Sequence, residues 1–148
     1  MTRQRIELAT VSPRAVALIN ELEDVLRHEG LCDDRLRELA RIRVAQLNGC
    51  AYALAQRSAE AIRLGERQER INELAGWRDS RRFTDSERAA LALTESMTRL
   101  PADGVPDDVY GTAEHLLGPY SLANLIMAVS IANALDRMCL TARISPPH

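Results

Sequence analysis

Apolar residues recur at spacings of three and four along most of the chain, as in amphipathic α-helices. In the first such segment Val16, Ile19, Leu22 and Leu26 fall on one helical face. Glycine, proline and asparagine separate the segments, and β-branched residues never alternate with polar ones. The pattern predicts an all-α single domain over 1–148, with six to seven helices and a core from about 12 to 143. The predicted helices cover about 13–28, 33–48, 50–65, 66–77, 84–100, 107–117 and 121–142.

Local capping signals set several of these boundaries. Ser12 precedes Pro13, a residue suited to the first helical position. Either Asp33 or Asp34 suits a helix N-terminus, where a carboxylate complements the dipole. Thr84-Asp-Ser-Glu87 matches a capping box, and Gly118-Pro119 is expected to end a helix.

Composition excludes several classes of function. The 148 residues carry 19 basic and 21 acidic groups, for a net charge of −2. This balance gives no footprint for nucleic acid or for an anionic membrane surface. All the basic residues are arginines, so neither a Schiff-base lysine nor a phosphate-loop lysine is available.

The cysteines and the apolar segments predict a cytoplasmic protein. Three cysteines are an odd number in a domain large enough to build a core, which favours a reducing compartment. The first residues contain no apolar stretch of signal-peptide length. The most apolar segment, 121–135, contains Asn124 and Asn133 and is expected to be a buried core helix, too short to span a bilayer.

Metal and cofactor chemistry is not predicted. The three histidines are scattered and form no pair at ligand spacing, and no glycine-rich phosphate loop is present. His115, at a helix end beside the Gly118-Pro119 break, is the histidine that can face a pocket.

Cys50 is the strongest candidate for chemistry. It follows Asn48-Gly49 at the first turn of a helix, where free backbone N–H groups stabilise a thiolate. Glu38 precedes it by twelve residues, so the turn can bring this carboxylate beside Cys50 or leave it about two turns away. A buried carboxylate near a thiol is a candidate proton acceptor. The alternative is an inert apolar cysteine with a solvated glutamate.

The segments Leu36-Arg-Glu-Leu39 and Arg43-Val-Ala-Gln-Leu-Asn-Gly-Cys-Ala-Tyr52 resemble the signature of the carboxymuconolactone decarboxylase superfamily, in its alkylhydroperoxidase D-like branch. The resemblance continues through segments 65–70, 74–78, 83–92, 131–137 and 143–147. It implies an all-helical fold built round a helical hairpin and assembled as a homo-oligomer, with trimers or hexamers favoured. It also implies peroxide reduction by a Cys-x-x-Cys pair, with a glutamate and a histidine relaying protons.

Two of the four motif positions depart from that pattern. Cys50 matches the first cysteine and Glu38 the glutamate, whereas Ala53 stands where the second cysteine is expected and Arg57 where the histidine is expected. Ala53 allows no local disulfide, and a guanidinium stays protonated at any working pH. The resemblance therefore predicts that two-cysteine peroxidase activity is lost or strongly reduced, with a pocket retained at Tyr52, Ala53 and Arg57.

Three interpretations remain open at this stage. A one-cysteine thiol peroxidase would use Cys50 and Glu38, with a small thiol from solution as the resolving group. A decarboxylase-type enzyme would clamp a small carboxylate lactone with Arg57 and with Arg41 or Arg43. A non-catalytic module would hold a small carboxylate, a peroxide or a partner. Neither of the other cysteines is expected to replace residue 53: Cys139 is predicted to be core, and Cys32 to lie in a distant turn.

Overall fold

The computed structural model describes residues 3–146, and over that range it is all-helical, as predicted. The predicted domain limits, residues 1 and 148, lie outside the described range. A 3₁₀ turn, Leu74–Gly76, accompanies the α-helices. The helices are α1 Leu8–Val11, α2 Pro13–His28, α3 Asp34–Asn48, α4 Ala51–Arg63, α5 Gln68–Glu73, α6 Asp85–Thr98 and α7 Asp107–Ala142.

The capping signals place the helix starts as expected. Asp33 caps α3 by accepting a hydrogen bond from the backbone N–H of Leu36 at 3.0 Å. At α6 the capping box is complete: Thr84 Oγ1 accepts from the Glu87 N–H at 3.2 Å, and Glu87 Oε2 accepts from the Thr84 N–H at 2.8 Å. Ser12 occupies the N-cap position of α2, but its side chain makes no capping hydrogen bond.

Two elements differ from the sequence prediction, and the break in the last helix agrees with it. The short helix α1 was not expected, and it carries no side-chain cap that would have marked it. The predicted helix over 66–77 is only α5 followed by the 3₁₀ turn. The predicted break at Gly118-Pro119 is present: α7 consists of two helical segments joined by a kink, where Gly118 has a left-handed φ of 75° before Pro119.

Helix α3 is the centre of the fold and packs against α4, α6 and α7. Leu39, Ile42 and Val44 are completely buried, so α3 is enclosed on most of its surface. Gly49 ends α3 in the left-handed conformation, with a φ of 68°. The chain then reverses into α4, and this α3–α4 hairpin fixes the position of Cys50.

With its kink at Gly118, α7 spans 36 residues, and by length and composition it could cross a membrane. Its contacts are nevertheless those of a core helix. Leu125 and Val129 are completely buried, and Asn124 Nδ2 donates a 3.0 Å hydrogen bond to the carbonyl oxygen of Leu26 on α2. A buried amide that is hydrogen-bonded to another helix favours packing within the protein.

Candidate functional site

Cys50 is the N-cap residue of α4 and is only 2% exposed. Burial raises the pKa of its thiol, whereas hydrogen bonds from the backbone N–H groups of Ala53 and Tyr52 lower it. The expected helix-start environment is therefore present. Burial still outweighs it, so the thiol stays protonated at neutral pH.

Cys139, on α7, is half-buried and lies near Cys50, which corrects the expectation that it would be a core residue. It lines a cavity formed by α2, α4 and α7. Burial, followed by the neighbouring Cys50, raises the pKa of the Cys139 thiol to about 11. The thiol that neighbours Cys50 thus comes from α7, near the C-terminal end of the described residues, and not from residue 53.

Asp136 is a carboxylate whose charge raises the pKa of both the Cys50 and the Cys139 thiol. It is buried one turn before Cys139 on α7 and accepts a hydrogen bond from Asn48 Nδ2 at 3.1 Å. Burial raises the pKa of Asp136, while Asn48 and Arg57 oppose that rise. The Asn48 amide also donates to Asn133 Oδ1 at 3.0 Å, so it ties the turn before Cys50 to α7.

Glu38 is engaged by an arginine of its own helix. Its Oε1 accepts a 2.8 Å hydrogen bond from Arg41 Nη1, and both side chains are buried. Its Oε2 has no hydrogen-bond partner among residues 3–146. Glu38 is thus paired with an arginine of its own helix. The carboxylate whose charge raises the pKa of the Cys50 thiol is Asp136.

Arg57 belongs to an ion-pair chain that crosses three helices. Its Nη2 lies 2.6 Å from Glu23 Oε1 on α2, and Arg41 Nη2 lies 3.4 Å from the same oxygen. The order Glu38–Arg41–Glu23–Arg57 thus alternates in charge. Burial lowers the pKa of Arg41, with Glu38 and Glu23 opposing the shift. The Nε and Nη2 groups of Arg41 are buried without a hydrogen-bond partner in the described part of the chain.

A cavity of about 550 Å³ connects these groups. Its wall brings together Tyr52, Ala53 and Arg57, the three predicted pocket residues, with Asp136 and Cys139. Apolar side chains from the segments around α2 and α7 form another part of the lining: Leu8, Val16, Ile19, Leu135, Met138 and Ile144. Polar and charged side chains also line it: Gln4, Glu7, Asn20, Glu23, Arg41 and Gln56. The cavity is of a size that suits a small organic molecule.

The other predicted residues lie behind or away from this wall. Glu38 borders a second cavity, of about 450 Å³, on the other side of Arg41 and Arg57. His115 is exposed on α7 and is not part of the lining of the larger cavity, so the structure does not support its facing the pocket. Within residues 3–146, no three His, Cys, Asp or Glu side chains converge in a way that would hold a metal ion.

Comparison with known proteins assigns the chain to a family. The sequence pattern of the carboxymuconolactone decarboxylase family matches residues 13–96, more than half of the chain. The chain belongs to this family. Its match covers the α3–α4 hairpin that presents Cys50.

Individual relatives agree with the family assignment. The uncharacterized protein YdfG of Bacillus subtilis (strain 168) is 27% identical over 137 residues, which are 93% of this chain and 92% of YdfG. The crystal structure of ATU0492 from Agrobacterium tumefaciens, a protein of unknown function described as a candidate antioxidant defence protein AhpD, superposes with a TM-score of 0.93. That match has 27% identity and covers 99% of both chains, and it supports the alkylhydroperoxidase D-like branch of the carboxymuconolactone decarboxylase family.

The residues that sequence reasoning missed lie mostly outside the matched family region. Asp136 and Cys139 follow residue 96, and Glu23 precedes the signature. One signal was available: Asp136 and Cys139 are three residues apart on one face of the most apolar predicted helix. An acidic residue in such a helix must be paired or hydrogen-bonded, which marks it for attention.

Proposed function

We propose that this carboxymuconolactone decarboxylase family member has lost the Cys-x-x-Cys peroxidase reaction and keeps its cavity as a binding site for a small carboxylate. The observation that carries the proposal is the ion-pair chain Glu38–Arg41–Glu23–Arg57, whose two ends, Glu38 and Arg57, are the positions where the resemblance implies a proton relay.

The chain of ion pairs is unsuited to moving protons. Arg57 replaces the relay histidine and stays protonated, and its guanidinium is held 2.6 Å from Glu23. Glu38 is held by Arg41 at 2.8 Å. Ala53 also removes the thiol that would pair with Cys50 inside the motif. Three of the four motif positions are thus either replaced or held in ion pairs.

A one-cysteine peroxidase is supported less well. A one-cysteine peroxidase needs a thiol that the peroxide can reach. Cys50 is only 2% exposed and does not line the cavity that contains Tyr52, Ala53 and Arg57. A decarboxylase-type reaction is also supported less well, because arginine replaces the family histidine at residue 57.

The two guanidinium groups favour a carboxylate as the ligand. Arg41 and Arg57 both line the cavity, and both already approach one carboxylate oxygen, that of Glu23. The unpartnered N–H groups of Arg41 leave donor capacity for a second acceptor. Arginine suits this task since its fork of donors matches the two oxygens of a carboxylate. The apolar lining would accept the ligand's hydrocarbon part.

Thermal unfolding in the presence of matched ligands tests the carboxylate site. Small carboxylates such as benzoate and succinate are expected to raise the Tm, and their uncharged amides to leave it unchanged, because a ligand stabilises by its affinity for the folded state. Arg57→Gln is expected to abolish the shift. The control is Arg63→Gln, an exposed arginine on the same helix paired with Glu60. A shift that survives in Arg57→Gln, or no shift with any carboxylate, would reject the site.

Assembly and location are part of the same proposal. Leu18, Leu22 and Val25 on α2, with Met127 and Leu140 on α7, are exposed apolar side chains that a second copy of the chain would cover. We therefore propose a homo-oligomer, with a trimer or hexamer favoured. The three cysteines are free thiols, in keeping with a cytoplasmic location.

A further inference from the structure

We propose that Cys50 and Cys139 are a dithiol pair that exchanges with small disulfides entering the cavity, forming an intrachain disulfide between α4 and α7. This inference goes beyond the proposed carboxylate site and does not depend on it. It also differs from the family motif, because the second cysteine lies 89 residues from the first.

The contacts of Asn48 hold the two cysteines in register. Asn48 donates to both Asn133 and Asp136, at 3.0 and 3.1 Å, so the end of α3 is attached to one face of α7. Cys50 follows Asn48 by two residues, and Cys139 follows Asp136 by almost one helical turn. Both cysteines therefore lie at the same junction of α4 with α7, and each thiol is among the groups that shift the pKa of the other.

Exposure sets the order of the reaction. Cys139 is half-buried and lines the cavity, whereas Cys50 is 2% exposed and lies behind it. Cys139 Sγ therefore attacks one sulfur of the small disulfide, whose S–S bond breaks as the first small thiol leaves. Cys50 Sγ then attacks the sulfur of Cys139, and the second small thiol leaves. The two cysteines lose two electrons, and the small disulfide is reduced to two thiols.

Asp136 is placed to move the protons. It lines the cavity beside Cys139, three residues away on the same helix, and its charge affects the pKa of both thiols. In each step it accepts the proton of the attacking thiol and passes it to the departing thiolate. The balance is two cysteine thiols and one small disulfide giving one intrachain disulfide and two small thiols.

Peptide mapping of the natural chain tests the pairing without any variant. The reduced protein is incubated with bis(2-hydroxyethyl) disulfide, acid-quenched, alkylated and digested with trypsin. The expected product is a chain lighter by two hydrogen atoms, with peptide 44–57 joined to peptide 138–143 and Cys32 alkylated in peptide 28–35. A stable adduct on Cys139 without this link, a link involving Cys32, or a link only between chains would overturn the proposal.

Variants then separate the three roles. Cys50→Ser is expected to stop at the mixed disulfide on Cys139, and Cys139→Ser to give no link, while Cys32→Ser forms the link as the natural chain does. Asp136→Asn keeps an oxygen for Asn48 and is expected to slow linking at least ~10-fold, since general-base catalysis contributes about 10²-fold or more. An unchanged rate in Asp136→Asn would remove its role in proton transfer.

Discussion

Separating the buried pair Glu38–Arg41 should cost much more stability than replacing both partners together. Each side chain is only 4% exposed, and the Arg41 Nη1 to Glu38 Oε1 distance is 2.8 Å. In Glu38→Leu the Arg41 guanidinium keeps only Glu23, 3.4 Å away. In Arg41→Met the Glu38 carboxylate loses its hydrogen-bond partner.

The magnitudes follow from the burial of the charges. Removing one partner of a buried pair costs about 3–5 kcal/mol, because the other charge stays buried and unpaired. We expect that range for Arg41→Met, and about 2–4 kcal/mol for Glu38→Leu because Glu23 remains. The double variant leaves no uncompensated charge within this pair, so its loss should fall short of the sum of the single losses by at least about 2 kcal/mol.

Urea unfolding of the four proteins, in a double-mutant cycle, measures this coupling. A matched cycle on Glu60 and Arg63, an ion pair on the surface of α4, should show no measurable coupling. Losses at Glu38 and Arg41 that add to within about 0.5 kcal/mol would refute the view that the pair is one buried electrostatic unit.

Three further results are expected. Thr84→Ala removes the hydroxyl of the α6 capping box and should lower the free energy of unfolding by about 1 kcal/mol. Thermal unfolding should then show a Tm about 2–4 °C lower. An unchanged Tm would show that the cap contributes nothing. The raised pKa of Cys139, about 11, means that the folded chain keeps this proton when the unfolded chain has lost it. Stability should therefore fall as the pH rises from about 9 to 11, and Cys139→Ala should reduce that fall in pH-dependent urea unfolding. Light scattering should give a mass well above 16.5 kDa at micromolar concentration, whereas a clean monomer would contradict the proposed assembly.

Much of the fold could be predicted because its signals are local. Pro13, Asp33 and the pair Thr84 and Glu87 mark helix starts through contacts within one turn, and they do so in the structure. Helix α1 was not predicted, because a segment of four residues is too short to show a periodic hydrophobic pattern. The break at Gly118-Pro119 was predictable because glycine and proline interrupt a helix through their own backbone geometry.

The site was predictable only in part, because its decisive contacts are distant in sequence. The local motif placed Cys50 at the start of α4 and Tyr52, Ala53 and Arg57 on the cavity wall. The partner of Arg57, Glu23, is 34 residues away, and Asn48 reaches Asp136 across 88 residues. Such pairs depend on how the helices pack, and spacing within one helix does not reveal them.

Peroxide consumption with a dithiol reductant tests the central claim most directly. The natural chain is compared with a Cys50→Ser control and with a double variant carrying Ala53→Cys and Arg57→His, which restores both missing motif residues. The account predicts turnover by the double variant alone, with the natural chain no faster than the control. Turnover by the natural chain at a rate comparable to that of the double variant would contradict the account.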